Sequence, residues 1–394
     1  MNGAQQHPGS WRSVKFGDLV RQVKKKVDPI AARLERYVAG EHMNTDDLRI
    51  RQWGTVGAGY LGPAFTSHFA PGHVLYGSRR TYLRKVAVAD FEGVCANTTF
   101  VLESCSPELL PEFLPYVMTT ERFHEHSMKQ SKGSVNPYIN YRDLTWYEFD
   151  LPPVEEQRQI IELLHESGDA VETIMASSGA LHRLINAYVT HAYQKALAEG
   201  EDTRRAADLG ELTMGRQKAP KYALGVNPTP YLRVANVGHL ELLTDTLELM
   251  DFSEEEINRF GMKAGDVVLT EGDIVSALNV GRGAVFEGGE GPLCFQNTLI
   301  RIRPTHEVNP YFLLTMLEGA RLAGVLAATG NTTTVTHLGL RRFAEVRLPY
   351  VKPEEQAPIE QGLRALLNLR STLRNHEANT KLMAVRLRER VMRS

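Results

Sequence analysis

At 394 residues the chain is longer than one ordinary core fills, so two domains or more are expected. A net charge of −2 argues against a strongly basic protein that grips nucleic acid unaided, and no stretch approaches the ~18 apolar residues of a membrane helix. Three cysteines without CxxC spacing give no disulfide framework or zinc site and fit a reducing cytoplasm.

Residues 1–10 are polar and contain Gly and Pro, and the start lacks the order of a signal peptide. From Val14 to Ser131 the pattern is one of short strands and loops with a few helices. Strands are expected at Val74–Tyr76 and Thr99–Leu102, and a helix from Pro107 to Lys129. Leu151-Pro152-Pro153-Val154-Glu155-Glu156-Gln157 then opens a long helical stretch to about Gly200. Ile160, Leu164, Val171, Ile174, Leu181, Ile185, Tyr188 and Ala192, with Ser167 and Ser178, mark its seam. At 1.5 Å per residue such a rod is ~65 Å long. The pattern then repeats: strands at Val267–Leu269 and Leu299–Ile302, a helix after Pro310, and a second rod after Pro353. Ile359, Leu363, Leu366, Leu373, Met383, Leu387 and Val391 form the second seam.

The second half thus restates the first. Leu348-Pro349-Tyr350-Val351-Lys352-Pro353-Glu354-Glu355-Gln356 repeats the Leu151–Gln157 punctuation. Phe16-Gly17-Asp18-Leu19 is echoed by Leu209-Gly210-Glu211-Leu212, and Pro71–Leu75 by Ala264–Val268. Cys95-Ala96-Asn97-Thr98 is echoed by Cys294–Thr298, and Lys132-Gly133-Ser134 by Thr329-Gly330-Asn331. Each match is weak alone, but the shared order identifies an internal duplication. Each seam must be covered, by the neighbouring globular region or by the other rod.

Catalytic motifs are thin. Gly57-Ala58-Gly59-Tyr60-Leu61-Gly62 fits GxGxxG, but Pro63 follows and no amphipathic helix opens there, so a plain turn is expected. Asn136-Pro137-Tyr138 and Asn309-Pro310-Tyr311 lack the second proline of an adenine-methyltransferase signature; Asn309 suits a helix start and Asn136 a turn or DNA contact. His124 and His126 are two apart and fit a solvated helix face, and no metal site stands out. No catalytic residue is assigned.

Basic clusters are the remaining signal. Ser78-Arg79-Arg80-Thr81-Tyr82-Leu83-Arg84-Lys85 mixes Arg with Tyr after a strand and suits guanine edges or phosphates. The loop containing Lys132, Ser134, Asn136 and Tyr138 is a second element of that surface. In the second half the candidates are Arg216, Lys218, Arg282 and the loop Asn331, Thr332, Thr333. Thr270-Glu271-Gly272-Asp273-Ile274 stands opposite Ser78–Tyr82 and is poorer in basic charge, as two surfaces reading different sequences would be.

Two variable regions, each closing on Leu-Pro…Glu-Gln and passing into a long helix, resemble the specificity (S) subunit of type I restriction-modification systems, the HsdS family. The resemblance covers about residues 14–392. It implies a mixed α+β fold: two tandem α/β target-recognition domains separated by two long antiparallel coiled-coil-like helices in a pseudo-two-fold repeat. The domains would be 1–152 and 201–350, with a central helical spacer at 153–200 and a C-terminal one at 351–394. The family implies a non-catalytic, cytoplasmic DNA-binding subunit of a phage-defence complex, which reads a bipartite double-stranded target. It would recruit two modification subunits that bind SAM and methylate adenine, and restriction/translocase subunits that use ATP and Mg. No cofactor is expected in this chain. The rivals are a self-sufficient SAM-dependent DNA methyltransferase, a specificity subunit of a methylation-only or other defence complex, and a protein-interaction scaffold.

Overall fold

The computed structural model describes residues 11–199, 202–217, 225–272, 280–329 and 338–392. The chain divides into two compact units: one runs to Thr173 and resumes at Glu377, the other spans Ile174–His376. The division falls inside the two long helices, Val154–Glu199 and Pro353–Met392. Both rods therefore start where the sequence places them, but each is shared between the units instead of standing apart at 153–200 and 351–394.

In the first unit Arg12–Lys15 pairs antiparallel with Glu148–Leu151, followed by the short helix Phe16–Leu19. One four-stranded sheet runs in the order Val20–Gln22, Thr99–Ser104, Val74–Gly77, Val86–Val88. A second joins Gly54–Thr55, Arg36–Val38, Gly93–Ala96 and Phe65–Phe69 around a parallel central pair. The second unit follows the same plan. Asp202–Arg205 pairs with Arg347–Tyr350, and Ala206–Leu209 is the short helix. The sheet order is Gly210–Met214, Leu299–Pro304, Val267–Thr270, Gly283–Val285. The smaller sheet again holds a parallel pair, Pro228–Leu232 with Cys294–Phe295. The fold is mixed α+β, and the four expected strands are all present.

Hydrogen-bond register sharpens the repeat. Gly72 and Gly265 are equivalent, each at positive φ (87° and 91°), where an L side chain is strained. The Phe16–Leu19 echo is displaced. Phe16 N–H donates to Tyr147 and Ala206 N–H to Val346, so the true counterpart is Ala206-Ala207-Asp208-Leu209, three residues earlier than Leu209–Leu212. The shared Gly-acid-Leu letters misled because the second copy places Gly210 one step after its helix.

The repeated glutamine has a physical cause. The Gln157 side chain is fully buried; its Oε1 accepts from Leu110 N–H (2.9 Å), and its Nε2 donates to the Glu108 (2.7 Å) and Pro152 (2.8 Å) carbonyls. Gln356, also buried, accepts from Asn309 N–H (2.7 Å) and donates to Glu307 (3.1 Å) and Val351 (2.9 Å). One amide thus ties the start of each long helix to the loop that follows an inner strand of each four-stranded sheet, Thr99–Ser104 or Leu299–Pro304, satisfying backbone groups that burial would otherwise orphan.

The helix seams are covered by both means. Ile160 and Leu164 join the first unit's core with Leu387, Val391 and Met392. Leu181, Ile185, Val189, Ala192, Tyr193 and Ala196 join the second unit's core with Leu363, and Tyr188 O–H donates to Ile359 O (3.0 Å). The seam is wider than a strict heptad because it faces a domain as well as a helix. Met383 is a correction: it is 69% exposed, with Leu382 and Val385 beside it also exposed. The expected helix Pro107–Lys129 is also broken. Only Leu114–Val117 and Glu121–Gln130 are helical. Pro111 and Pro115 remove donors there, and Thr120 starts a new helix by accepting from Phe123 N–H (3.3 Å).

Candidate nucleic-acid interface

The strand Val74–Gly77 ends at Ser78, where two loops distant in sequence are welded together. Ser78 N–H donates to Thr98 O (2.9 Å) and Ile139 N–H to Ser78 O (3.0 Å). Lys132 and Tyr138 exchange both backbone bonds (2.8 and 2.9 Å), and Arg80 N–H donates to Pro137 O (2.6 Å). Thr81 and Ser131 share a hydroxyl contact of 2.8 Å. The result is one ridge on which Arg79, Arg80, Tyr82, Lys132, Ser134, Asn136 and Tyr138 are all exposed. The Arg79 guanidinium lies over the Tyr138 ring at 5.9 Å. Among the described residues, neither Arg79 nor Arg80 meets a carboxylate.

Arg84 and Lys85 stand differently. Arg84 is paired with Asp46 (3.0 Å) and Glu121 (2.6 Å), and the Lys85 ammonium donates to the Gly40 carbonyl. Partial burial, then the nearby Arg80 charge, pulls the Lys85 pKa below its ordinary value. Both brace the ridge from behind instead of projecting from it, because Asp46 and the Gly40 turn fold underneath. Arg80 and Arg84 flank the turn Thr81–Leu83 in left-handed conformations (φ 50° and 51°), a strain of about 1 kcal/mol or more each that recurs at functional loops.

Asp143 and Val135 are members that sequence reasoning missed. Asp143 accepts from Lys132 Nζ (3.0 Å) and Asn140 Nδ2 (3.1 Å). Burial acts to raise its pKa, but these bonds outweigh it and hold the carboxyl below the usual range. The Asn140-x-x-Asp143 spacing of a capping box was the available signal. Val135 is 85% exposed at the ridge crest.

The second unit has the same joint with other residues. Glu271 N–H donates to Thr298 O (3.0 Å) and Leu338 N–H to Glu271 O (2.8 Å). Glu271, not Thr270, is therefore the counterpart of Ser78. Arg216 is a correction. Its side chain is 7% exposed, pairs with Glu256 (2.9 Å), donates to the Asp251 carbonyl, and lies over Phe252 at 4.7 Å. Its backbone joins Phe295 and Asn297, so it holds two segments together and presents no charge outward. Arg282 is half-buried, with its carbonyl accepting from Thr270 N–H (2.9 Å). Lys218, Asn331, Thr332 and Thr333 lie outside the described residues.

The tempting motifs resolve. Gly57 (φ 86°) sits in a turn between strands and opens no helix. Asn309 caps Pro310–Leu322, accepting from Tyr311 (2.9 Å) and Phe312 (3.1 Å) N–H. His124 is not on a solvated face. It is fully buried, neither ring nitrogen is hydrogen-bonded although Nε2 lies 3.9 Å from Asp46 Oδ1, and burial followed by the Arg84 and Arg388 charges drives its pKa down to about 3. His126 meets the Asp143 carbonyl at 2.9 Å. Among the described residues no group of three or more His, Cys, Asp or Glu is placed to hold a metal.

Residues 56–177 match the family model for the type I restriction modification DNA specificity domain, a span that contains the whole ridge and the start of the first long helix. The chain is 26% identical over 230 residues to the type I restriction enzyme EcoDI specificity subunit of Escherichia coli, covering 56% of this chain and 46% of that protein. It is 21% identical over 300 residues to the MjaVIII specificity subunit of Methanocaldococcus jannaschii, covering 71% and 68%. It thus spans about half the length of the first relative and two thirds of the second. The fold matches a chain of a solved type I R-M system with TM-score 0.62 at 19% identity, over 98% of this chain and 97% of that one. It also matches the type I S subunit from M. genitalium with TM-score 0.56 at 14% identity, over 98% and 97%.

Residues 56–177 are thus similar to the type I restriction modification DNA specificity domain, and the fold is similar to that of a solved type I S subunit.

The duplicated Gln157 and Gln356 ties and the Ser78 and Glu271 joints give each unit the same frame. The frame carries different side chains where each sheet ends. An invariant scaffold with variable rims is what a protein needs to present two unlike recognition surfaces.

Proposed function

We propose that this chain is the DNA sequence-specificity subunit of a type I restriction-modification complex, reading a bipartite duplex target with one unit per half-site. It contributes no catalytic group. Modification subunits would bring SAM and methylate adenine, and restriction/translocase subunits would bring ATP and Mg. The observation that carries this reading is the Arg79–Arg80 pair, exposed and meeting no carboxylate among the described residues, on a ridge locked by backbone bonds within the span that matches the specificity domain. Fixed donors of this kind suit DNA better than they suit a packed protein interior.

The two long helices would act as the spacer between half-sites and as docking surfaces for the modification subunits. Leu163, Leu184, Leu197 and Leu369 are exposed on them and are the apolar residues such docking would use. The self-sufficient methyltransferase loses its support at Gly57, where no helix N-terminus follows to hold a cofactor. No described helix is long and apolar enough to cross a membrane.

The test is recognition by the complex reconstituted with the neighbouring modification subunit. Replacing Arg79 and Arg80 with Ala is expected to relax or weaken one half-site only; equal loss at both halves contradicts the assignment. Removing two whole turns from the Val154–Glu199 helix is expected to change the gap between half-sites, and an unchanged gap contradicts the spacer role.

A further inference from the structure

The charged groups of the first unit's ridge are of two kinds. Lys132 is committed to Asp143 (3.0 Å), which also takes Asn140. Arg84 and Lys85 are committed to Asp46, Glu121 and the Gly40 carbonyl. Arg79 and Arg80 remain uncommitted among the described residues. The ridge therefore offers forked donors, while its carboxylate, Asp143, is already taken.

The major-groove edge of guanine presents two acceptors, O6 and N7, which match such a fork. Adenine and cytosine each present an amino donor there, and thymine presents one acceptor beside a methyl group. Phosphates also accept guanidinium forks. Two features favour a base edge. The Arg80 backbone is left-handed and bonded to Pro137, and the Arg79 guanidinium lies over the Tyr138 ring at 5.9 Å, so both side chains leave the ridge from a fixed backbone position. Beside them Val135 (85% exposed) and Tyr82 (51% exposed) put apolar atoms at the crest, which fit a groove floor and not a charged backbone.

We propose that Arg79 and Arg80 make the first unit a reader of guanine, so that the half-site it contacts contains at least one G·C pair read at O6 and N7. This rests on the DNA-recognition reading above. It also distinguishes the two units, since Glu271 followed by Gly272 stands at the joint where Ser78 is followed by Arg79.

The experiment uses the full chain in complex with its modification subunits and a duplex carrying its split motif. The first unit's half-site is the one that the Arg79→Ala, Arg80→Ala variant relaxes. Each guanine in it is replaced in turn by 7-deazaguanine, which keeps O6 but lacks the N7 acceptor. The expected result is weakening of about tenfold at one guanine for the native chain. For the Arg79→Lys, Arg80→Lys variant, which keeps charge but loses the planar fork, binding is weaker and the replacement costs less than it does for the native chain. Indifference of the native chain at every guanine, or a half-site without any G·C pair, overturns the guanine assignment while leaving DNA recognition intact. A native complex that holds no preferred sequence sinks both.

Discussion

The two units differ least where they fold and most where they face outward. In the first, the rim beyond Ser78 carries Arg79 and Arg80, which meet no acid among the described residues, while in the second the equivalent rim begins with Glu271, and Arg216 is folded inward against Glu256 and Phe252. The same letters, arginine near the end of a sheet, thus serve opposite ends. One pair is exposed and meets no carboxylate among the described residues, and the other arginine is satisfied by its own unit. Burial and partner count separate binding arginines from structural ones; sequence clustering does not.

The comparison is broken most severely at what the units share. Gln157→Ala and Gln356→Ala each leave one N–H and two carbonyls buried without partners. Each is expected to cost about 3 kcal/mol in chemical denaturation. A loss at one glutamine only would show that the two ties are not equivalent.

Next is the inward arginine. Arg216→Ala strands Glu256 and opens a gap over Phe252. It is expected to cost about 2 kcal/mol of stability with the recognised sequence unchanged. A changed half-site with undiminished stability would return Arg216 to the DNA surface.

His124 gives a pH signature belonging to the first unit. Its folded pKa lies below its unfolded value, so its full contribution is present above pH ~6.5. That contribution declines as pH falls toward the folded value of about 3. The expected slope is about 1.4 kcal/mol per pH unit in that window. His124→Phe removes no hydrogen bond and should flatten the acid limb. An identical limb in the variant would mean that other groups set it.

The smallest effect is expected at Arg84→Ala, about 1 kcal/mol because its partners are partly solvated. Relaxed base choice without loss of stability would show that Arg84 reads DNA directly instead of bracing the ridge.

Much of this was legible in the chain. The duplication, both long helices and the central strands followed from periodicity and from repeated punctuation, since these patterns record what must be buried. The Arg79–Arg80 and Lys132–Tyr138 segments were legible as candidates. Their union was not, because it rests on backbone bonds between positions about sixty residues apart. Register was legible only to within a few residues. Phe16 pairs with Ala206 and Ser78 with Glu271, offsets that matching letters hide and hydrogen bonds reveal. The repetition of Gln157 as Gln356 was legible but its reason was not, since nothing in the sequence shows which loop the amide reaches. Met383 and His124 went the wrong way for a common reason. Helical spacing gives a face but not what lies over it.

The most direct test of the central claim is methylome sequencing of cells carrying this gene with its neighbouring modification gene, against cells lacking this gene alone. Loss of a split adenine-methylation motif on deletion, and its return with the gene, is the predicted result. A motif that persists unchanged without this chain, with the modification subunit still expressed, would contradict the claim that this chain supplies the specificity.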